Sequence, residues 1–165
     1  PTNGILNRLL TAGGLNFLAQ DWLGNIGLVI YSVSMIEVWK WTGLAALIFL
    51  AGLQSISKDY YEALAIDGAT KWQTFRYVTF PLLRPAFNTN LLISVIGGLR
   101  VFDIVYATTG GGPGTASEVI SSFVYRKFAY GYFGQSTAIG LLLFILVSLV
   151  AVPLYAWTSK KEVEL

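Results

Sequence analysis

The sequence predicts an all-α membrane protein with about three spanning helices and a helix–turn–helix at the membrane surface. Three observations carry that expectation. Of 165 residues, 55% are hydrophobic and 12% charged, with a mean hydropathy of +0.61. Soluble domains carry ~25% charged residues, so this chain lacks the polar surface to cover a core in water. Its apolar residues are gathered into three long runs, and a short charged segment separates the first two. The length suits one domain, and residues 1–165 are read as a single transmembrane domain.

The runs are taken in order. Residues 26–57 carry only Glu37 and Lys40, and 41–57 carry no charge at all. Residues 85–109 carry only Arg100 and Asp103. Residues 128–159 are 32 consecutive uncharged positions, closed by Lys160 and Lys161. A membrane helix needs ~20 apolar residues. Buried helices of a soluble protein fit the first two runs but not the third. Spans are expected near 24–55, 84–107 and 134–158, with a further outer helix over 116–130.

Orientation follows from the basic residues. Lys58, Lys71, Arg76 and Arg84 flank the charged segment, and Lys160 and Lys161 follow the last span, so six of 11 basic residues share one side. The positive-inside rule makes that side cytoplasmic. The outward ends, 1–23 and 109–132, hold only Arg8, Arg126 and Lys127. Trp22, Tyr106 and Trp157 suit interfacial anchors, whereas Trp39 and Trp41 fall too deep in their run.

The charged island reads as two short helices. Asp59 with Glu62 three residues on has capping spacing, so a helix is expected from about Tyr60. Gly68 suits the left-handed position that ends it. Thr70 with Gln73 repeats the capping spacing and opens a second helix, which Pro81 should stop. Tyr61, Leu64 and Ala65 share one face of the first helix; Trp72, Phe75 and Arg76 share one face of the second. Periodicity alone does not separate a partner-docking device from an interfacial hairpin.

Several function classes are excluded by composition. The absence of Cys and His removes disulfides, thiol nucleophiles, His acid–base chemistry and most zinc sites. No carboxylate pair has an obvious catalytic partner, so an enzyme is not expected. A net charge of +2 without a basic stripe gives no reason to expect nucleic acid. Gly110, Gly111, Gly112, Pro113 and Gly114 contain no Lys and make no phosphate cradle; they read as an outward loop. The chain starts at Pro1 without a signal-peptide pattern and is read as the C-terminal part of a longer subunit whose preceding spans are absent.

The island also resembles a family signature. Permease subunits of binding-protein-dependent ABC importers carry Glu-Ala-Ala, three residues, Gly, nine residues, Ile, one residue, Leu-Pro. Glu62, Ala63, Gly68 and Pro81 match at full spacing, with Leu64, Val78 and Phe80 as apolar departures. The flanking run from Ala51 to Ile56, the Pro81-Leu82-Leu83 step, and Phe102-Asp103 leading to Gly111-Gly112-Pro113 resemble the sugar-uptake branch, nearest the larger maltose-type permease (the MalF type). The resemblance covers nearly the whole chain. It implies the C-terminal part of a type I (MetI-like) transmembrane domain in the cell inner membrane.

It further implies partners and roles. The segment 57–81 would dock in a groove of a separate ATPase subunit, with Glu62, Ala63, Asp67 and Gly68 at the contact. ATP and Mg would be used by that partner, and no cofactor would be bound by this chain. A second permease subunit, an extracytoplasmic solute-binding protein and a sugar complete the implied assembly. Positions matched to sugar contacts are Glu37, Trp41 and Leu44 on the first span, and Ser94, Gly98 and Val101 on the second.

Charges within spans are the remaining pointer, since each costs a few kcal/mol unless it faces protein or water. Glu37 with Lys40, and Arg100 with Asp103, are three apart and could pair locally, or they could line an aqueous cavity. Two other classes stay open. A secondary carrier would use such charges for ion coupling but gives the island's spacing no purpose. A permease for a non-sugar solute would keep the island but has no need of Phe102-Asp103 with Gly-Gly-Pro.

Overall fold

A computed structural model describes residues 4–159, and every regular element among them is helical. In chain order these are α1 (Ile5–Ala12), a 3-10 turn (Asn16–Leu18), α2 (Val29–Gln54), α3 (Lys58–Ile66), α4 (Lys71–Thr74), a π turn (Phe75–Thr79), α5 (Phe80–Leu82), α6 (Arg84–Leu99), α7 (Asp103–Thr108), α8 (Ile120–Ala129) and α9 (Phe133–Ser159). Lys160 and Lys161, counted above among the inside charges, lie outside the described residues.

Among the described residues two helices have the length and composition to cross a membrane, α2 with 26 residues and α9 with 27. At 1.5 Å per residue they run about 39 and 40 Å, enough for a hydrocarbon core of ~30 Å. Most of their apolar side chains are exposed, among them Met35, Val38, Leu47, Leu142, Phe144 and Leu149. Long helices this apolar and this little buried in their own chain belong in lipid or against other membrane helices.

The second apolar run departs from expectation. Instead of one helix over 84–107 there are two, α6 with 16 residues and α7 with six. Gly97 and Gly98 weaken the end of α6, and Phe102 takes φ −141°, ψ −59° before Asp103 opens α7. The break leaves the Arg100 carbonyl without its helical donor, and the Ser121 hydroxyl supplies one at 3.3 Å. The third span was expected over 134–158, and α9 matches it within a residue.

By its internal contacts the chain divides into two units: residues 1–40 with 100–143, and residues 41–99 with 144–165. In the first, Val29, Val33 and Val105 are fully buried, with Leu23, Val101, Ile104, Ala116 and Val119 packed around them. The Asn7 amide donates to the Gln20 carbonyl at 2.8 Å, and Trp22 Nε1 donates to Asn7 Oδ1 at 2.8 Å. Trp22 thus uses its polar edge to fasten α1. The outer loop after α7 is also tied down. Ser117, fully buried, shares a hydroxyl bond with Thr109 at 2.7 Å and donates to the Gly112 carbonyl at 2.6 Å. Glu118 pairs with Arg126 at 2.8 Å. These bonds occupy Ala116 to Val119 in the loop, so the outer helix spans Ile120–Ala129 rather than 116–130. The Val119 N–H donates to Ser122 Oγ at 3.0 Å and closes its first turn.

In the second unit α6 meets both long helices. A Cβ built on Gly52 of α2 would lie 2.6 Å from the Ala86 Cβ and 3.1 Å from Leu83 Cδ1. Only glycine permits that approach. The Asn90 amide donates to the Ala45 carbonyl on α2 at 3.3 Å, and the Asn88 amide donates to the Thr158 carbonyl on α9 at 3.2 Å. Both asparagines are buried. Amide bonds between apolar helices hold them together where the hydrophobic effect gives no net drive.

Candidate coupling surface and transport pathway

The island between α2 and α6 is built by local capping. Ser57 rather than Asp59 is the N-cap of α3: its hydroxyl accepts from the Asp59 N–H at 3.3 Å. The helix therefore starts at Lys58, and Asp59 sits in the first turn, where its charge complements the helix dipole. Gly68 takes φ +72°, with its N–H donating to the Ala65 carbonyl at 3.2 Å and the Ala69 N–H donating to the Leu64 carbonyl at 2.9 Å. That pair of bonds is the Schellman arrangement, which requires a left-handed residue at this position. The expected Thr70–Gln73 capping box is present. The Gln73 N–H donates to Thr70 Oγ1 at 3.3 Å, and the Thr70 N–H donates to Gln73 Oε1 at 2.8 Å.

Pro81 does not end the second helix. The chain widens into a π turn over Phe75–Thr79, with the Phe80 N–H donating to the Phe75 carbonyl five residues back. Proline has no N–H for the Tyr77 carbonyl and would crowd it in an α-helix. The wider turn relieves that conflict, and helical geometry continues through Leu82.

The two halves of the island are held together from one side. The Tyr61 and Thr79 hydroxyls, 3.3 Å apart, join them, and within the second half the Trp72 and Phe75 rings stack at 5.8 Å. Tyr61 and Leu64 are half-buried against the chain, whereas Glu62, Ala63, Asp67 and Gly68 are all exposed. Beside them Ile66 is 87% and Trp72 70% exposed. The four residues singled out from sequence therefore lie together on an outward surface with apolar neighbours.

Three of the four charges in the apolar runs, Glu37, Lys40 and Asp103, form one cluster within the first unit. Lys40 Nζ lies 2.8 Å from Glu37 Oε2 and 2.9 Å from Asp103 Oδ2. The Glu37–Lys40 pair is the expected one. Asp103 is paired with Lys40 on α2 rather than with Arg100, a contact that local spacing did not suggest.

The residues matched to sugar contacts are placed as follows. Glu37, Trp41 and Leu44 follow one another on one face of α2, at helical spacing. Glu37 is half-buried and ion-paired, and Trp41 and Leu44 are about two-fifths exposed. Ser94 and Gly98 are exposed on α6, and a Cβ on Gly98 would meet nothing within 4 Å. Val101 packs against the Val29, Val33 and Val105 cluster of the first unit. Sequence reasoning missed Asn88, Asn90 and the Gly52–Ala86 approach. Amides inside an apolar run were the available signal for the first two.

Residues 5–162 match the family of binding-protein-dependent transport system inner membrane components. The chain belongs to this family. Among relatives of this inner membrane component is the trehalose/maltose transport system permease protein MalF of Thermococcus litoralis. It is 40% identical over 144 residues, which are 87% of this chain and 48% of the relative. The multiple sugar-binding transport system permease protein MsmF of Streptococcus mutans is 37% identical over 154 residues, 93% of this chain and 53% of that one. The crystal structure of a bacterial ABC transporter involved in the import of the acidic polysaccharide alginate matches with a TM-score of 0.81 at 25% identity, over 95% of this chain and 55% of that one. The chain thus spans about half the length of the curated relatives it matches. The permease character expected from the island, and the likeness to sugar-uptake permeases expected from its flanking segments, agree with these relatives.

Proposed function

We propose that this chain is the C-terminal part of a multi-pass permease subunit in the cell inner membrane. It serves an ATP-driven importer of a sugar or oligosaccharide, as a transporter subunit rather than an enzyme. The observation that carries this reading is the exposed face of the island. A capped helix and a left-handed glycine turn hold Glu62, Ala63, Asp67 and Gly68 outward next to Ile66 and Trp72. A surface so fixed, with Ile66 and Trp72 bared beside two carboxylates, suits a rigid partner that covers the apolar side chains. The partner is a cytoplasmic ATPase, with ATP and Mg handled there.

The cargo path is supported by the break in the second run. Non-helical backbone at membrane depth is tolerated where it is enclosed by protein or lines a water-filled cavity. Asp103, at the start of α7, is paired with Lys40 yet keeps its side chain 71% exposed within the chain, and an exposed ion pair in an apolar run favours a watery lining. Trp41 offers an aromatic face, and Glu37 and Ser94 offer hydrogen-bonding groups, the combination a sugar needs. The relatives named for sugars favour sugar over other solutes. A second permease subunit and an external solute-binding protein complete the assembly.

The test is reconstitution of the full-length subunit with an ATPase, a second permease subunit and a solute-binding protein. Uptake should require ATP, follow oligosaccharides and ignore amino acids and phosphate. A cysteine at Ala63 should cross-link to the ATPase. Uptake that proceeds without any ATPase would overturn the reading.

A further inference from the structure

We propose that three aromatic rings beside the break before α7 form a carbohydrate subsite at the outer mouth of the cargo path. Phe102, just before α7, and Tyr106 within it stack with ring centres 5.4 Å apart and planes 18° apart. Tyr125 of α8 closes the triangle, 5.4 Å from Phe102 and edge-on to Tyr106 at 4.9 Å. The Ser121 hydroxyl, one turn earlier on α8, donates to the Arg100 carbonyl at 3.3 Å and pins the break against that helix. All of these residues belong to the first unit. Both helices flank the loop that the basic residues mark as outward, so cargo entering from that side would meet the rings first.

The polar groups around the rings select the occupant. Tyr106 is 51% and Tyr125 43% exposed. Their hydroxyls lie 3.3 Å apart and share one hydrogen bond, which leaves one O–H donor and several lone pairs for a group outside the chain. Arg100 is exposed too, and its guanidinium has no ion pair, hydrogen bond or ring contact among the described residues. Asp103, three residues on, is held by Lys40 instead. An acyl chain or an apolar helix would cover the rings but leave these donors unmet, at a cost. A pyranose meets both needs: its C–H face lies on aromatic rings, and its rim of oxygens accepts from tyrosine and arginine. Val101, one of the positions matched to sugar contacts, is turned into the Val29, Val33 and Val105 cluster, so at the break its two neighbours are the groups left for cargo. The inference rests on the sugar-import reading and assigns to it three rings and a cation.

The experiment uses the assembled importer, with the full-length subunit, in lipid vesicles. Maltotetraose, cellotetraose and xylotetraose, each carrying a diazirine at the reducing end, are photolysed with it in turn. At least one should label peptides spanning 100–108 and 118–127, and the same tetraose without the diazirine should compete. Tyr106→Leu or Tyr125→Leu should lower that label about fivefold, the loss of one stacked ring. Tyr106→Phe combined with Tyr125→Phe keeps all three rings packed and removes only the hydroxyls; it should lower the label about threefold, as should Arg100→Gln. Label found only on other peptides, or label unchanged in these variants, would overturn the proposal. So would failure of every tetraose to label the rings because another protein segment covers them. ATP-driven uptake of the same sugars is read in the same vesicles: uptake without label at the rings defeats the subsite alone, and label without uptake defeats the transport reading alone.

Discussion

Lys40 Nζ sits 2.9 Å from Asp103 Oδ2, 63 residues away in sequence, while it holds Glu37 on its own helix at 2.8 Å. One cation thus ties α2 to the start of α7 and neutralises one of two carboxylates. The contact across helices should be measurable. Lys40→Met and Asp103→Asn should each lower thermal stability of the detergent-solubilised subunit, and the double variant should lose less than the sum. The coupling should be about 1 kcal/mol or less, because both side chains are partly exposed. Strict additivity would show that the contact contributes nothing.

Gly68 should be the most sensitive position for coupling. A Cβ there meets nothing within 4 Å in this chain, yet the φ of +72° disfavours any other residue. Gly68→Ala should therefore cost ~1–2 kcal/mol through backbone strain alone. Gly68→Val adds bulk that only a partner could feel, so transport should uncouple from ATP hydrolysis while insertion persists. Normal transport by Gly68→Val with the ATPase attached would refute a docking role for this turn.

The approach of α2 to α6 at Gly52 makes a steric prediction. Gly52→Ala should destabilise the subunit by ~1–3 kcal/mol, the usual range for overpacking, because the new methyl would fall 2.6 Å from the Ala86 Cβ. Ala86→Gly in the same chain should recover part of the loss. A fully stable single variant would mean that the helices pack differently here.

If the proposed cargo path holds, Trp41→Ala should weaken transport without changing the affinity of the external binding protein, since the ring would meet cargo only inside the membrane. The loss should be ~1 kcal/mol or more in transport, by analogy with other aromatic contacts. Unaltered uptake, or a structure with Trp41 facing lipid, would remove it from the cargo path.

Topology has a direct check by cysteine labelling from either side of the membrane. Single cysteines at Ser57 and Thr70 should react with an impermeant reagent from inside, and one at Thr115 from outside. Labelling of Thr70 from outside would invert the assignment.

What could be read in the sequence was what local physics controls. The two long helices follow from uninterrupted apolar runs, the Thr70–Gln73 box from residue spacing, and the Gly68 turn from the one residue that tolerates it. The Glu37–Lys40 pair is likewise within one helical turn. The partner of Asp103, the Asn90 and Asn88 bonds to other helices, and the Gly52–Ala86 approach depend on tertiary placement, which periodicity does not encode. The split of α6 from α7 lay in between: Gly97 and Gly98 hinted at a weak helix end, but apolar composition on both sides hid it. At Pro81 the rule that proline stops helices failed because a π turn offers another way to relieve the same clash.

Asn88 and Asn90 stand two residues apart on α6, which places them about 200° apart around its axis. One is fastened to α9 and the other to α2. A rod gripped from opposite sides cannot spin. Rolling α6 in either direction would strip a buried amide of its acceptor, whereas leaning about the two grips disturbs neither bond much. The motion open to this helix is therefore that of an oar in its lock: a push near Arg84 swings the far end at Gly98 sideways, and the face that Ser94 presents stays the same throughout the stroke.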